Sequence, residues 1–174
     1  MIKKYIDELK YYKKLATSPM NPTYDEILKA NSLRGNEIKK TPLIYSSTFS
    51  DLTNSEIYLK AEFRQKTGSF KIRGAYYKIK LLSEEEKKYG VVAASAGNHA
   101  QGVALASSLE NISCTIVMPK NASPAKVAAT RGYGANVILE GINYDESYSK
   151  AKEIAKETGA TIIQAFDDPQ IIAA

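Results

Sequence analysis

The sequence predicts an α/β fold, an open parallel sheet with flanking helices. Two patterns in its 174 residues carry that expectation. Short apolar runs, too brief for helices, alternate with longer stretches of helical periodicity from about residue 57 onward. Turn-forming residues also fall between the runs rather than inside them. Strands separated by helices imply βαβ crossovers, and hence parallel pairing.

The elements follow in order. Ile2, Tyr5, Ile6, Leu9, Tyr12 and Ala16 lie at helical spacing, so residues 1–16 are expected to form a helix that docks its apolar stripe. Ser18, Pro19, Asn21 and Pro22 end that pattern. Thr23 with Glu26 three positions on is a capping box that opens a short helix through about Asn31. Residues 40–56 read as turns, and a strand is expected over 57–61. Helices are expected near 69–82, 97–109, 124–131 and 144–158, and strands at 91–95, 114–118, 137–139 and 161–164. Ser123 before Pro124 reads as an N-cap with proline at the first helical position. Asp145 and Glu146 suit the first turn of the last helix, Tyr144, Tyr148, Ala151 and Ala155 its inner stripe, and Gly159 its C-cap.

Composition excludes several functions. A single cysteine, Cys114, can neither close an internal disulfide nor build a Cys-rich metal site, and a single histidine, His99, leaves zinc chemistry undersupplied. The net charge is +5, but residues 1–14 contribute +3 of it, which leaves no broad basic face for nucleic acid. An RNA-binding or membrane-surface role would rest on that first helix alone. Residues 89–109 carry no Asp, Glu, Lys or Arg, yet Ser95, Asn98, His99, Gln101, Ser107 and Ser108 make the run too polar for a bilayer span. The N-terminus lacks the apolar core of a signal peptide, so a soluble, cytoplasmic protein is expected, without a membrane or nucleic-acid partner.

Two loops look chemical. Parallel sheets bind ligands beyond the carboxyl ends of their strands, and there the chain reads Ser95-Ala96-Gly97-Asn98-His99-Ala100-Gln101-Gly102. Small residues permit a tight turn, and the following helix start offers unpaired N–H groups to an anion. Asn98 adds a neutral hydrogen-bond donor. The same residues also suit a polar turn that merely caps a buried helix. The spacing is neither GxGxxG nor a P-loop, so nucleotide binding is unsupported. The second loop is Thr67-Gly68-Ser69-Phe70-Lys71-Ile72-Arg73-Gly74-Ala75. Apolar surroundings and the nearby cations Lys66 and Arg73 would lower the pKa of Lys71, as a carbonyl-attacking amine requires. A solvated surface lysine remains the alternative.

Taken together, TGSFKIRGA at 67–75 and AASAGNHAQG at 93–102 resemble the fold-type II pyridoxal-phosphate enzymes. Within them the chain resembles the threonine ammonia-lyase (threonine dehydratase) and serine racemase branch. Residues 40–45, 115–119, 125–135 and 166–173 add to the likeness, which covers about 24–173. The resemblance implies that Lys71 forms the covalent link to pyridoxal 5'-phosphate, that Phe70 packs near the cofactor ring, and that Asn98 bonds its phenolic oxygen. Ser95, Gly97, Asn98 and His99 would hold the carboxylate of a small amino-acid substrate, with His99 a loop-orienting or substrate-contacting group rather than a base. The reaction implied is α,β-elimination of threonine, and of serine, to a 2-oxo acid and ammonia, with Lys71 as the single base. Racemase relatives place a second serine where this chain has Ala96, which favours deamination. Full-length relatives are expected to be homo-oligomers.

By the same resemblance, 1–20 would be a helical extension and 21–90 the first part of a large domain. Residues 91–164 would form a small α/β domain, and 165–174 would return into the large one. The phosphate-cupping glycine-rich loop would lie in a second half beyond residue 174. The expectation is therefore a partial chain of weak or no activity. A non-catalytic module that binds small anions is the alternative of a different kind.

Overall fold

The computed structural model describes residues 21–174, and the helix expected over 1–16 lies outside them. The first described helix, α1 (Tyr24–Leu33), begins on the expected capping box: Thr23 Oγ1 accepts from the Glu26 amide, and the Glu26 carboxylate accepts from the Thr23 amide at 2.7 Å. Residues 40–56 hold more structure than turns. Strand β1 (Leu43–Tyr45) pairs antiparallel with β2 (Tyr58–Lys60), and helix α2 (Ser47–Thr53) lies between them, capped by Ser46. Strand β2 falls within the strand expected over 57–61, but every residue of β1 is exposed and α2 buries only Ser50, so no buried stripe marks those two.

Helix α3 (Lys71–Lys80) is followed by α4 (Glu84–Tyr89), which sequence reading missed. This helix buries nothing and is held by local electrostatics instead. Ser83 and Glu86 form a capping box, with Glu84–Glu86 at the positive end of the dipole and Lys87 and Lys88 at the negative end.

The remaining elements form a four-stranded parallel sheet in the order β5-β4-β3-β6: β3 (Val91–Ala94), β4 (Cys114–Met118), β5 (Asn136–Leu139) and β6 (Thr161–Ile162). The crossovers are α5 (Asn98–Leu109), α6 (Pro124–Gly132) and α7 (Tyr144–Thr158), and the chain ends in α8 (Pro169–Ala173). Side-chain alternation sorts the sheet into two apolar layers. Val91, Ala93, Ile116 and Met118 join Ile72, Ile79 and Val103 in one core, while Val92, Ala94 and Val117 meet Ala151 of α7 on the opposite face. A strand buried on both sides reads as a continuous apolar run, which is why β3 and β4 were legible.

One cap and one helix face need correction. Ser123 occupies the N-cap position of α6, but its side chain makes no cap bond, and Pro124 alone marks the start. In α7, Ala151 is fully buried whereas Tyr144 is 41% exposed and stacks on Tyr148, so the inner stripe is narrower than expected. Gly159 does close α7, at φ +78°, donating its amide to the Ala155 carbonyl.

Candidate active site

The order β5-β4-β3-β6 contains a switch point. From β3 the chain moves outward through β4 and β5, then returns to pair β6 on the other side of β3. Loops leaving β3 and β6 therefore diverge at the carboxyl end of the sheet and leave a crevice between them. A cavity of about 410 Å³ lies there, lined by Ala94, Ser95, Ala96, Asn98 and His99 from the first loop, Ala165 and Phe166 from the second, and Lys71 and Tyr144.

The floor of the loop is the start of α5. No side chain caps this helix, so its first-turn amides remain available, while Ser95 Oγ accepts from the Gly97 amide and shapes the turn. Asn98 is exposed and His99 is buried. His99 Nε2 lies 3.0 Å from the Ile163 carbonyl, an oxygen that can only accept, so Nε2 carries the proton and ties this loop to the end of β6. Burial chiefly, and the nearby Lys71 charge as well, push the His99 pKa below its ordinary value, while the Ile163 bond opposes them. The ring is therefore neutral at pH 7, which suits an orienting group better than an acid.

Lys71 begins α3, and α3 meets α5 backbone to backbone. A Cβ on Gly102 would sit 3.1 Å from the Lys71 carbonyl oxygen and the Ile72 nitrogen, so a side chain there would press the two backbones apart by a few tenths of an ångström. The lysine and the anion loop thus ride on two helices locked together. Lys71 Nζ donates to the Ala165 carbonyl at 2.7 Å and lies 4.8 Å from the Phe166 ring centre and 5.5 Å from that of Phe70. Desolvation lowers its pKa. The expected second cause is absent: Lys66 pairs with Glu37 at 2.8 Å, and Arg73 with Glu62 at 2.7 Å, so neither is a bare neighbouring cation.

Lys71, Ser95, Asn98 and His99 share one cavity, with Gly97 in the turn between them. Phe70 does not line it. More than half exposed, it lines an adjoining cavity of about 310 Å³ together with Gly74, Ile171 and Ile172, and Lys71, Ala165 and Phe166 border both spaces. The sequence assigns no site role to Ala165 or Phe166, and gives Tyr144 only a place in the inner stripe of its helix. For Ala165 and Phe166, the usable signal was their place just beyond the last strand.

A desolvated amine near two aromatic rings, beside a helix start at a sheet switch point, is chemically suited to a carbonyl compound carrying an anionic group. Residues 35–174 match the family described as pyridoxal-phosphate dependent enzyme, and the chain belongs to it. It is 56% identical over 151 residues to an L-threonine ammonia-lyase of Thermotoga maritima, which covers 87% of this chain and 38% of that protein. It is 52% identical over 137 residues to L-threonine dehydratase catabolic TdcB of Staphylococcus aureus, covering 78% of this chain and 40% of the relative. Among solved structures, maize serine racemase superposes with a TM-score of 0.83 at 34% identity, over 87% of this chain and 46% of that one. The processed form of threonine deaminase isoform 2 from Solanum lycopersicum gives 0.79 at 37% identity, over 90% and 44%. The chain thus spans about two fifths of the length of these curated relatives.

Proposed function

We propose that this chain carries the lysine and the substrate-carboxylate loop of a pyridoxal-phosphate-dependent ammonia-lyase that acts on L-threonine and, secondarily, L-serine. The observation that carries the reading is the convergence of Lys71 Nζ with the uncapped start of α5 on one cavity. The residues present suit the cofactor's aldehyde and ring: a desolvated amine, two aromatic rings with centres within 6 Å of it, and Asn98 lining the same cavity. When bound, pyridoxal phosphate supplies an aldehyde for the amine and a sink for the electrons released at Cα.

Each residue then has its own task. Lys71 Nζ holds the cofactor covalently and, once free, takes the α-proton. Burial suits it to both by keeping more of the amine neutral near pH 7. Ser95, Asn98 and the first amides of α5 bind and orient the substrate carboxylate. His99, neutral and bonded to Ile163, holds the loop against the β6 end. The α-proton passes to Lys71 Nζ and the β-hydroxyl takes up a proton as it leaves, a net loss of one water; the enamine that results adds one water and releases ammonia to give the 2-oxo acid.

Elimination is favoured over racemisation on two grounds. Relatives above 50% identity are named threonine ammonia-lyase or dehydratase. Ala96, on the cavity wall, also offers no hydroxyl that could protonate the opposite face of Cα. In this reading 91–164 form the small domain, while 21–90 and 165–174 belong to a larger one.

The test is to supply the purified chain with pyridoxal 5'-phosphate and a co-expressed carboxyl-terminal half from a relative, then add L-threonine. Release of 2-oxobutanoate that Lys71→Ala abolishes is the expected result. Assembly of the two halves without turnover or a Lys71-dependent visible imine band would refute the reading.

A further inference from the structure

One face of α3 bears three residues with a single consequence. Lys71, Gly74 and Lys78 stand at i, i+3 and i+7, and so lie along one side of the helix. Each meets the segment that follows β6. Lys71 Nζ donates to the Ala165 carbonyl at 2.7 Å. Gly74 is buried against α8, where an added Cβ would fall 2.7 Å from the Ile171 carbonyl oxygen. Lys78 Nζ reaches Asp168 Oδ2 at 2.9 Å and Gln170 Oε1 at 2.7 Å, in a pair whose side chains are only 20% and 13% exposed. Asp168 also caps α8, its Oδ1 accepting from the Gln170 amide at 2.8 Å.

We infer that Lys78, Asp168 and Gly74 are positioning residues for Lys71: together they clamp residues 165–173 onto α3, so that Ala165 and Phe166 aim and cover the reactive amine. This inference rests on the role proposed for Lys71. The chemistry explains why the clamp matters. A neutral amine has hydrogens to donate and one lone pair. Held by the Ala165 oxygen through one N–H, Nζ keeps its lone pair free for a carbonyl carbon, and Phe166 shields it from water. Without the anchor, Lys71 is a long flexible side chain at a helix start, little different from the chain's surface lysines.

The experiment uses the 174-residue chain with pyridoxal 5'-phosphate as probe. The amine adds to the aldehyde with loss of one water, borohydride delivers hydride to the C=N bond, and peptide mass spectrometry reports what share of the fixed adduct sits on Lys71. The other lysines serve as an internal control. Lys78→Ala should lower that share about fivefold, which corresponds to losing about 1 kcal/mol of anchoring, and Lys78→Arg should restore most of it. Asp168→Asn, which keeps a capping oxygen on α8 while deleting the charge, should lower it about twofold and carries the test should Lys78→Ala fail to fold. A Lys71 share unchanged in folded Lys78→Ala or in Asp168→Asn overturns the inference. So does a loss in Lys78→Ala that Lys78→Arg leaves uncorrected in a folded protein. A wild-type chain with no preference for Lys71 instead refutes the function proposed above, so the two failures are distinguishable.

Discussion

The molecule holds two sheets made on opposite terms. In β3 all four residues, Val91 to Ala94, are buried, with α3 and α5 on one side and α7 on the other. In β1 and β2 all six residues are exposed, among them Leu43, Ile44, Tyr45, Tyr58 and Leu59. Both sheets are apolar in composition, so hydrophobicity alone does not separate them. Coverage does: the parallel sheet has helices on two faces, whereas both strands of the antiparallel pair lie exposed, joined by a three-residue ladder, the flanking Ser46–Ile57 and Ala61–Pro42 backbone bonds and the Tyr45–Tyr58 edge contact at 5.4 Å. A two-stranded ladder of this kind is marginal alone. Lys71 belongs to the covered region, at the start of the helix packed against α5, which is what a precisely held amine needs.

The sharpest way to break this comparison is a pair of truncations. Ile116→Ala removes a fully buried side chain from β4 and should cost about 3–4 kcal/mol, whereas Leu59→Ala in β2 should cost within about 0.5 kcal/mol. Urea unfolding of both variants checks it, and equal losses would mean the antiparallel pair is as much a part of the core as β4. Next is Gly102→Ala. Its methyl would press on the Lys71–Ile72 backbone at 3.1 Å, so a loss of about 1–3 kcal/mol is expected, together with a smaller Lys71 share in reductive labelling with pyridoxal 5'-phosphate. Unaltered stability and labelling would show that α3 and α5 can separate without consequence.

The smallest effect concerns the seam between the two regions. Glu62, just past β2, takes two hydrogen bonds from Arg73 of α3 and one from Thr41. The Arg73 bonds chiefly, with Thr41 assisting, lower its pKa from 4.5 to about 2 against the cost of burial. A carboxylate with a depressed folded pKa adds stability above its unfolded value and loses it as pH falls. The seam should therefore weaken between pH 4.5 and about 2, by on the order of 1 kcal/mol for a partly solvated pair. Glu62→Gln should flatten that part of the stability profile; an identical profile would remove Glu62 from the account.

What the sequence disclosed follows the same division. The covered strands, their crossover helices, and the caps at Thr23 and Gly159 were legible because burial on both faces writes long apolar runs and defined periods. The α2 and α4 helices and the β1 strand were not, since they bury almost nothing and are held by caps, dipoles and pairing. At the site, Lys71 and the 95–99 loop could be found from residue chemistry and resemblance. The cause of the Lys71 shift could not: Lys66 and Arg73 are adjacent in sequence, but each is occupied by a carboxylate from elsewhere. The clamp through Lys78 and Asp168 was equally invisible, because it joins residues 90 positions apart.

Among the described lysines, Lys71 alone combines a pKa lowered by desolvation with a bond to the Ala165 carbonyl at the cavity. The most direct test of this distinction is peptide mapping of the borohydride-fixed pyridoxyl group on the wild-type chain. Most of the label should reside on Lys71, and Lys71→Ala should lose this label without passing it to Lys66 or Lys78. Label spread evenly over the lysines, unchanged in Lys71→Ala, would contradict it.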